Sequence, residues 1–240
     1  MSRGVALRAA APFALAVLLS GGCDGMPGKP NARKVEVRPD HVTDFGTLYS
    51  ENCSGCHGPE GRGGAGAIGL ANPVYLAIAD DAVIRRATAS GVPGTAMPPF
   101  ARSAGGMLTD AQILILVEGI RGWARPAALE GPPPPPYAGG GGDAARGALV
   151  LAASCVSCHG PGGTGGAKAG SIVDGSFLGL VSDQSLRTTI IAGRPDIGQP
   201  DWRADVAGRP LSDQDVSDVV AWLAAQRPSA PGQPYPGRNP

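Results

Sequence analysis

Apolar side chains recur at helical spacing in four stretches that form two matching pairs. Ile113, Leu114, Leu116 and Val117 follow Thr109-Asp110-Ala111-Gln112, and Val216, Val219, Val220 and Leu223 follow Ser212-Asp213-Gln214-Asp215. A hydroxyl residue three places ahead of an acid or amide, just before such a run, is the capping-box start of a helix. Upstream, Val42 to Asn52 (with Phe45, Gly46 and Tyr49) and Ala144 to Ser154 (with Gly147 and Leu151) read as a second pair of helices. The pattern predicts an all-α chain. A fifth apolar run, Ala9 to Leu19, sits behind Arg3 and Arg8 and closes in Ser20-Gly21-Gly22-Cys23. A basic start, a short apolar core and small residues describe an export signal over residues 1–22, too short to span a bilayer well.

Between these runs the chain is polar or rich in Gly and Pro. Residues 23–37 lack periodicity and read as a tether. Residues 126–142 contain Pro132 to Pro136, then Tyr137-Ala138 and Gly139 to Gly142. Polyproline is a stiff spacer and glycine a flexible joint, so this stretch is expected to be a rod with a hinge. It divides the chain into residues 38–125 and 143–228, with a disordered tail at 229–240. The two parts are one repeat. A shift of 102 lays Cys53 on Cys155, Gly58-Pro59 on Gly160-Pro161, Leu76 on Leu178, Arg85 on Arg187, Gly91 on Gly193 and Pro93 on Pro195. Each last helix is expected to carry a tryptophan, Trp123 or Trp222.

Charge narrows the partners. The chain has 20 basic and 20 acidic side chains, and removal of residues 1–22 leaves 18 against 20. No basic patch argues for nucleic acid or an acidic lipid surface.

The chemistry lies in two pentapeptides, Cys53-Ser54-Gly55-Cys56-His57 and Cys155-Val156-Ser157-Cys158-His159. Cys-x-x-Cys-His is the attachment signature of c-type haem: two thiols bind the porphyrin covalently, and the histidine becomes an iron ligand. A zinc site would need further ligands nearby, and each pentapeptide stands alone. The glycines after each motif lack the Gly-Lys-Ser/Thr ending of a phosphate loop. Two covalently bound haem c groups are therefore expected. Of the five cysteines, four attach haem and Cys23 remains. A lone exposed thiol is a liability in an oxidising compartment, and Cys23 stands where a lipoprotein signal is cut, although Ser20 occupies the place where leucine is commonest. Lipidation at Cys23 is expected, with an ordinary secreted protein as the alternative.

Taken together, these residues resemble a dihaem cytochrome built from two tandem class I cytochrome c domains joined by a Pro/Gly-rich linker. The resemblance implies a helix leading into each haem motif that crosses the last helix at a glycine, with Gly46 and Trp123 as the pair in the first domain and Gly147 and Trp222 in the second. It also implies a methionine opposite each histidine. In Gly94-Thr95-Ala96-Met97-Pro98 the ligand is expected to be Met97, with Met107 as a competitor more suited to packing. The second domain contains no methionine, and Gln199 stands 102 residues after Met97, before Pro200. Gln199 is a weak candidate through its amide oxygen. The alternatives are an open or water-bound iron, or a distant ligand, for which His41 is the only histidine left. Each removes the thioether and implies a lower potential for the second haem.

The resemblance implies an electron carrier and not an enzyme, working between membrane redox complexes and cytochromes, with no small-molecule substrate. A donor of the quinol-oxidising cytochrome bc type, an oxidase or soluble cytochrome as acceptor, and a lipid anchor on the periplasmic side of the inner membrane complete the expectation. Docking is expected on the stretches Gly63 to Ala67 and Gly165 to Ala169. The alternatives are a gas- or peroxide-binding second haem and an electron-entry subunit of a dehydrogenase.

Overall fold

A computed structural model describes residues 37–64, 67–124, 129, 131–203 and 209–229. The expected export signal, Cys23 and almost all of the tail lie outside these residues. Among the described residues there are ten α-helices and no strands, only three isolated bridges. The first half contains α1 (Phe45–Asn52), α2 (Ser54–His57), α3 (Pro73–Ile78), α4 (Asp81–Ser90) and α5 (Asp110–Arg121). The second repeats the series as α6 (Ala144–Ser154), α7 (Val156–His159), α8 (Gly175–Gly179), α9 (Asp183–Ala192) and α10 (Asp213–Ala225). No helix among the described residues is long and apolar enough to cross a membrane.

Both capping boxes form as the sequence indicates. Thr109 Oγ1 accepts from Gln112 N at 3.2 Å, and Gln112 Oε1 accepts from Thr109 N at 3.0 Å. Ser212 and Asp215 make the same reciprocal pair at 3.1 and 2.9 Å. The helix expected from Val42 starts later, at Phe45, because Asp44 caps it by accepting from Thr47 N at 2.7 Å.

Each half has its motif-bearing helix packed on its last helix, α1 on α5 and α6 on α10. In the second half Gly147 lies at the crossing as expected: a β-carbon there would stand 2.0 Å from the Asp218 carbonyl oxygen. In the first half the expectation fails. Gly46 is exposed, and the glycine at the crossing is Gly119 on α5, where a β-carbon would meet the Phe45 ring at 2.1 Å. Trp123 is also displaced from its expected place, lying in the turn after α5 ends at Arg121. There it packs edge-on against Tyr49 and Phe45, with ring centroids 5.0 and 5.2 Å away.

The two halves are packed together. α9 lies against α3, and one buried cluster joins Leu48, Val74, Leu76, Leu116 and Ile120 of the first half to Ile191, Trp202 and Val216 of the second. The Asn72 side chain, which caps α3, donates to the Ala192 carbonyl at 2.9 Å. The segment expected to be a rod with a hinge is held at its centre. Arg187, 4% exposed, donates to the Pro136 and Tyr137 carbonyls at 2.7 and 3.1 Å, to Ser217 Oγ at 3.1 Å, and pairs with Asp213. Gln184 adds a bond to the Tyr137 carbonyl at 2.9 Å. The Tyr137 ring packs against the cluster that joins both halves, and burial pushes its phenol pKa up while Arg86 of the first half opposes it.

Candidate haem sites

Each motif begins where a helix breaks. The Cys53 N–H still bonds to the Tyr49 carbonyl at 2.9 Å, closing α1, and the His57 N–H bonds to the Cys53 carbonyl at 3.0 Å in the short α2. Cys155 and His159 repeat both bonds at 2.9 Å. One helical turn therefore carries both thiols and the imidazole. Cys53, Cys56, Cys155 and Cys158 form no disulfide. Burial pushes the Cys53 and Cys155 thiols up to about 11, with their partner cysteines adding to it. Among the described residues no group of three or more His, Cys, Asp or Glu is placed to hold a metal ion.

Both histidines are oriented by the same device. His57 Nδ1 lies 2.8 Å from the Ile68 carbonyl oxygen, and His159 Nδ1 lies 3.1 Å from the Gly170 carbonyl oxygen. A carbonyl only accepts, so Nδ1 carries the proton and Nε2 keeps its lone pair for a metal. Two unpaired thiols one turn apart, followed by an imidazole with a free Nε2, fit a covalently attached haem. The first site is the tighter. His57 is 9% exposed and His159 is more open. Tyr49, pushed up to about 12 mainly by burial, donates to the Gly58 carbonyl at 2.8 Å just beyond His57. Leu151 holds that register position in the second half and has no hydroxyl. Burial pushes the His57 pKa down, the Ile68 carbonyl raises it, and the Arg194 guanidinium lowers it further.

The loops expected to carry the opposite ligands have matching backbones. The Val92 N–H bonds to the Met97 carbonyl at 3.1 Å, and the Arg194 N–H bonds to the Gln199 carbonyl at 2.9 Å. Gln199 thus occupies the structural place of Met97. Its amide nitrogen donates to the Thr189 carbonyl at 3.2 Å, which fixes which end of the amide faces α9. Met107 is 79% exposed and does not take the packing role expected for it. His41 is exposed. The first stretch expected as a docking surface is partly covered: Gly63 and Gly64 lie against Arg194 and Asp196 of the second half.

Two all-α repeats, each opening on a helix turn of Cys-x-x-Cys-His with its histidine held by a carbonyl, define a c-type cytochrome. The chain belongs to the family described as Cytochrome C oxidase, cbb3-type, subunit III, which matches residues 40–118 and 142–223. It is similar to the Cbb3-type cytochrome c oxidase subunit CcoP of Cereibacter sphaeroides, 26% identical over 197 residues that cover 76% of this chain and 60% of that protein. It is also similar to the CcoP of an Azospirillum species, 31% identical over 54% of this chain and 42% of the relative. The subunit FixP of a Bradyrhizobium species is 29% identical over 65% of this chain and 52% of its own length. The chain spans about half the length of the curated relatives it matches.

Proposed function

We propose that this protein is a dihaem electron carrier serving a membrane redox complex. The observation that carries this is the carbonyl bond to Nδ1 of both His57 and His159, made eleven residues downstream in each half. Cys53 and Cys56 would hold one haem c, with His57 and Met97 as the residues that would ligate its iron. Cys155 and Cys158 would hold the other, with His159 as an iron ligand and Gln199 as a weak candidate for the second. Such a group would supply a one-electron ferric/ferrous couple, and the residues named would bind and orient it.

The relatives are subunits of a cbb3-type oxidase by name, which favours an oxidase as the electron acceptor. A quinol-oxidising complex of the cytochrome bc type or a soluble cytochrome is the matching donor. The chain carries electrons and transforms no substrate of its own. Lipidation at Cys23 would anchor it on the periplasmic side of the inner membrane and raise its effective concentration near these partners. Domain limits of 38–125 and 143–228 follow from the repeat.

Haem content and a redox titration of wild type, Met97→Ala and Gln199→Met test the assignment. Wild type should contain two haems per chain and show a thioether–iron band from one of them, with the other haem at lower potential. Met97→Ala should lose that band, and Gln199→Met should double it. Two bands in wild type would overturn the ligand assignment, and fewer than two haems per chain would overturn the dihaem reading.

One observation favours a second role. The Gln199 amide nitrogen is already engaged with Thr189, so only its oxygen, a hard and weak ligand for ferrous iron, is free. Carbon monoxide added to the reduced protein should then change the spectrum of one haem. An unchanged spectrum would exclude an open second site.

A further inference from the structure

The loop that carries Gln199 in the second half also reaches the first haem site. Arg194 is 7% exposed. Its guanidinium grips the Asp196 carboxylate with two bonds, Nε to Oδ1 at 2.9 Å and Nη2 to Oδ2 at 2.7 Å. The same Nη2 donates to the Gly64 carbonyl of the first half at 3.3 Å. That carbonyl also accepts from the Ala67 N–H at 2.9 Å. The next residue, Ile68, supplies the carbonyl that orients His57. On the other side of the contact, the Gly63 N–H bonds to the His57 carbonyl at 2.8 Å. Gly63 has φ +98°, and a β-carbon there would stand 2.7 Å from the Asp196 carboxylate carbon. Only glycine lets the pair come this close.

Among the described residues, the register position of Arg194 in the first half offers the second nothing equivalent. Val92 holds the register position of Arg194 and has no group that could donate to the second haem loop. In the second half the hairpin bond also runs the other way, from the Gly166 N–H to the Ala169 carbonyl at 2.9 Å. The site without an arginine is the one with the longer histidine bond and the more open ring.

We propose that Arg194, a residue of the second domain, is a positioning residue for the first haem: it pins the 63–68 loop whose Ile68 carbonyl holds His57, and it neutralises the Asp196 carboxylate that lies against that loop. This rests on the reading that His57 ligates a haem. Two consequences follow. The first haem's imidazole orientation depends on the second domain being docked. Its potential is kept from falling, because an unpaired Asp196 carboxylate beside the site would disfavour the form carrying the extra electron. The second haem gains no such help from the first domain.

The test uses the full-length holoprotein and its Arg194→Ala and Arg194→Lys variants. Haem content per chain comes first: two in wild type keeps the underlying reading, and fewer overturns that reading independently of Arg194. The ferric electron paramagnetic resonance spectrum then reports imidazole orientation, and a redox titration gives the two midpoints, the first haem being identified by its thioether–iron band. Arg194→Ala should lower the first haem's midpoint and shift its resonance. Arg194→Lys, which keeps the charge but not the paired fork, should recover the greater part of the midpoint and little of the resonance shift. If Arg194→Ala loses a haem, Arg194→Lys still reads the resonance shift. An unmoved first haem in both variants, or a change confined to the second haem, would overturn the proposal.

Discussion

At the scale of single residues, the two crossings exchange bulk. Phe45 and Gly147 each stand eight residues before the first cysteine of their motif, and Gly119 and Trp222 each stand ten residues after their helix cap. The first domain puts its large side chain on the motif helix and its glycine on the last helix, and the second does the reverse. Gly119→Phe in the first domain should cost about 1–3 kcal/mol or more through overpacking. Phe45→Gly should cost several kcal/mol through the cavity and the loss of helix propensity. The double variant, which copies the arrangement of the second domain, should recover about 0.5–3 kcal/mol as coupling between the two sites. Chemical denaturation of the two singles and the double checks this, and purely additive costs would show that the two residues do not oppose each other. Gly147 was readable as a crossing residue because the sequence holds a glycine where the family places one. Gly46 looked like its partner for the same reason, but it sits one residue beyond Phe45 and turns to solvent. A repeat compared in register shows which positions correspond, yet it does not reveal that two helices have traded roles.

At the scale of elements, the capping boxes differ in chemistry. Gln112 is neutral, whereas Asp215 is held well below the usual carboxylate range by Arg209 first, with Ser212 adding to it. A carboxyl whose folded pKa is depressed stabilises the fold fully above its ordinary value of 3.8 and loses that contribution as pH falls below it. The start of α10 should therefore loosen in acid while the start of α5 does not. Amide exchange measured from pH 6 down to about pH 3 should show protection falling earlier at α10. Asp215→Asn should remove that difference, and equal loss at both helices would refute it. The four helices that cross in pairs were legible from their period, and α5 and α10 also from their start signals. α4 and α9 were not singled out although each has ten residues and a capping side chain, Asp80 or Ser182, and α3 and α8, of six and five residues, are too short to show a period. A further device stayed hidden for another reason. Arg121 donates to the Leu76 and Ala79 carbonyls at 2.6 Å and to Asp81, and Arg227 binds the Leu178 and Val181 carbonyls and Asp183 in the same way. These arginines lie 106 apart while their targets lie 102 apart, so no single shift aligns the two clamps.

At the scale of the whole molecule, composition misleads at the linker. Five prolines and four glycines read as a spacer, but Arg187 binds the carbonyl of the last proline and that of Tyr137 after it. Its register partner Arg85 is exposed, so comparison of the repeats gives no hint of this. Removing the Arg187 side chain loses its bonds to the Pro136 and Tyr137 carbonyls and to Ser217 and its pairing with Asp213, at about 0.5–1.5 kcal/mol net for each bond. Arg187→Ala should make residues 131–142 sensitive to a broad-specificity protease and lengthen the molecule in small-angle scattering. A wild-type linker that is cut as fast as the variant would show that the segment is free after all. The two Cys-x-x-Cys-His motifs stand out in the sequence because covalent haem attachment demands both residue type and spacing. The company each site keeps depends on contacts between residues such as Gly64 and Arg194, 130 positions apart, which no local pattern encodes.

The exchange of bulk at the two crossings also bears on how the chain finds its own partners while folding. Two similar domains on one chain can trade helices, which is a characteristic failure of tandem repeats. Here a traded pair would set Phe45 of α1 against Trp222 of α10, and Gly147 of α6 against Gly119 of α5. One crossing would be overfilled and the other nearly empty, and both faults destabilise. Each motif helix is therefore matched to its own last helix by shape, and a chain descended from a doubled unit is steered away from assembling itself the wrong way round.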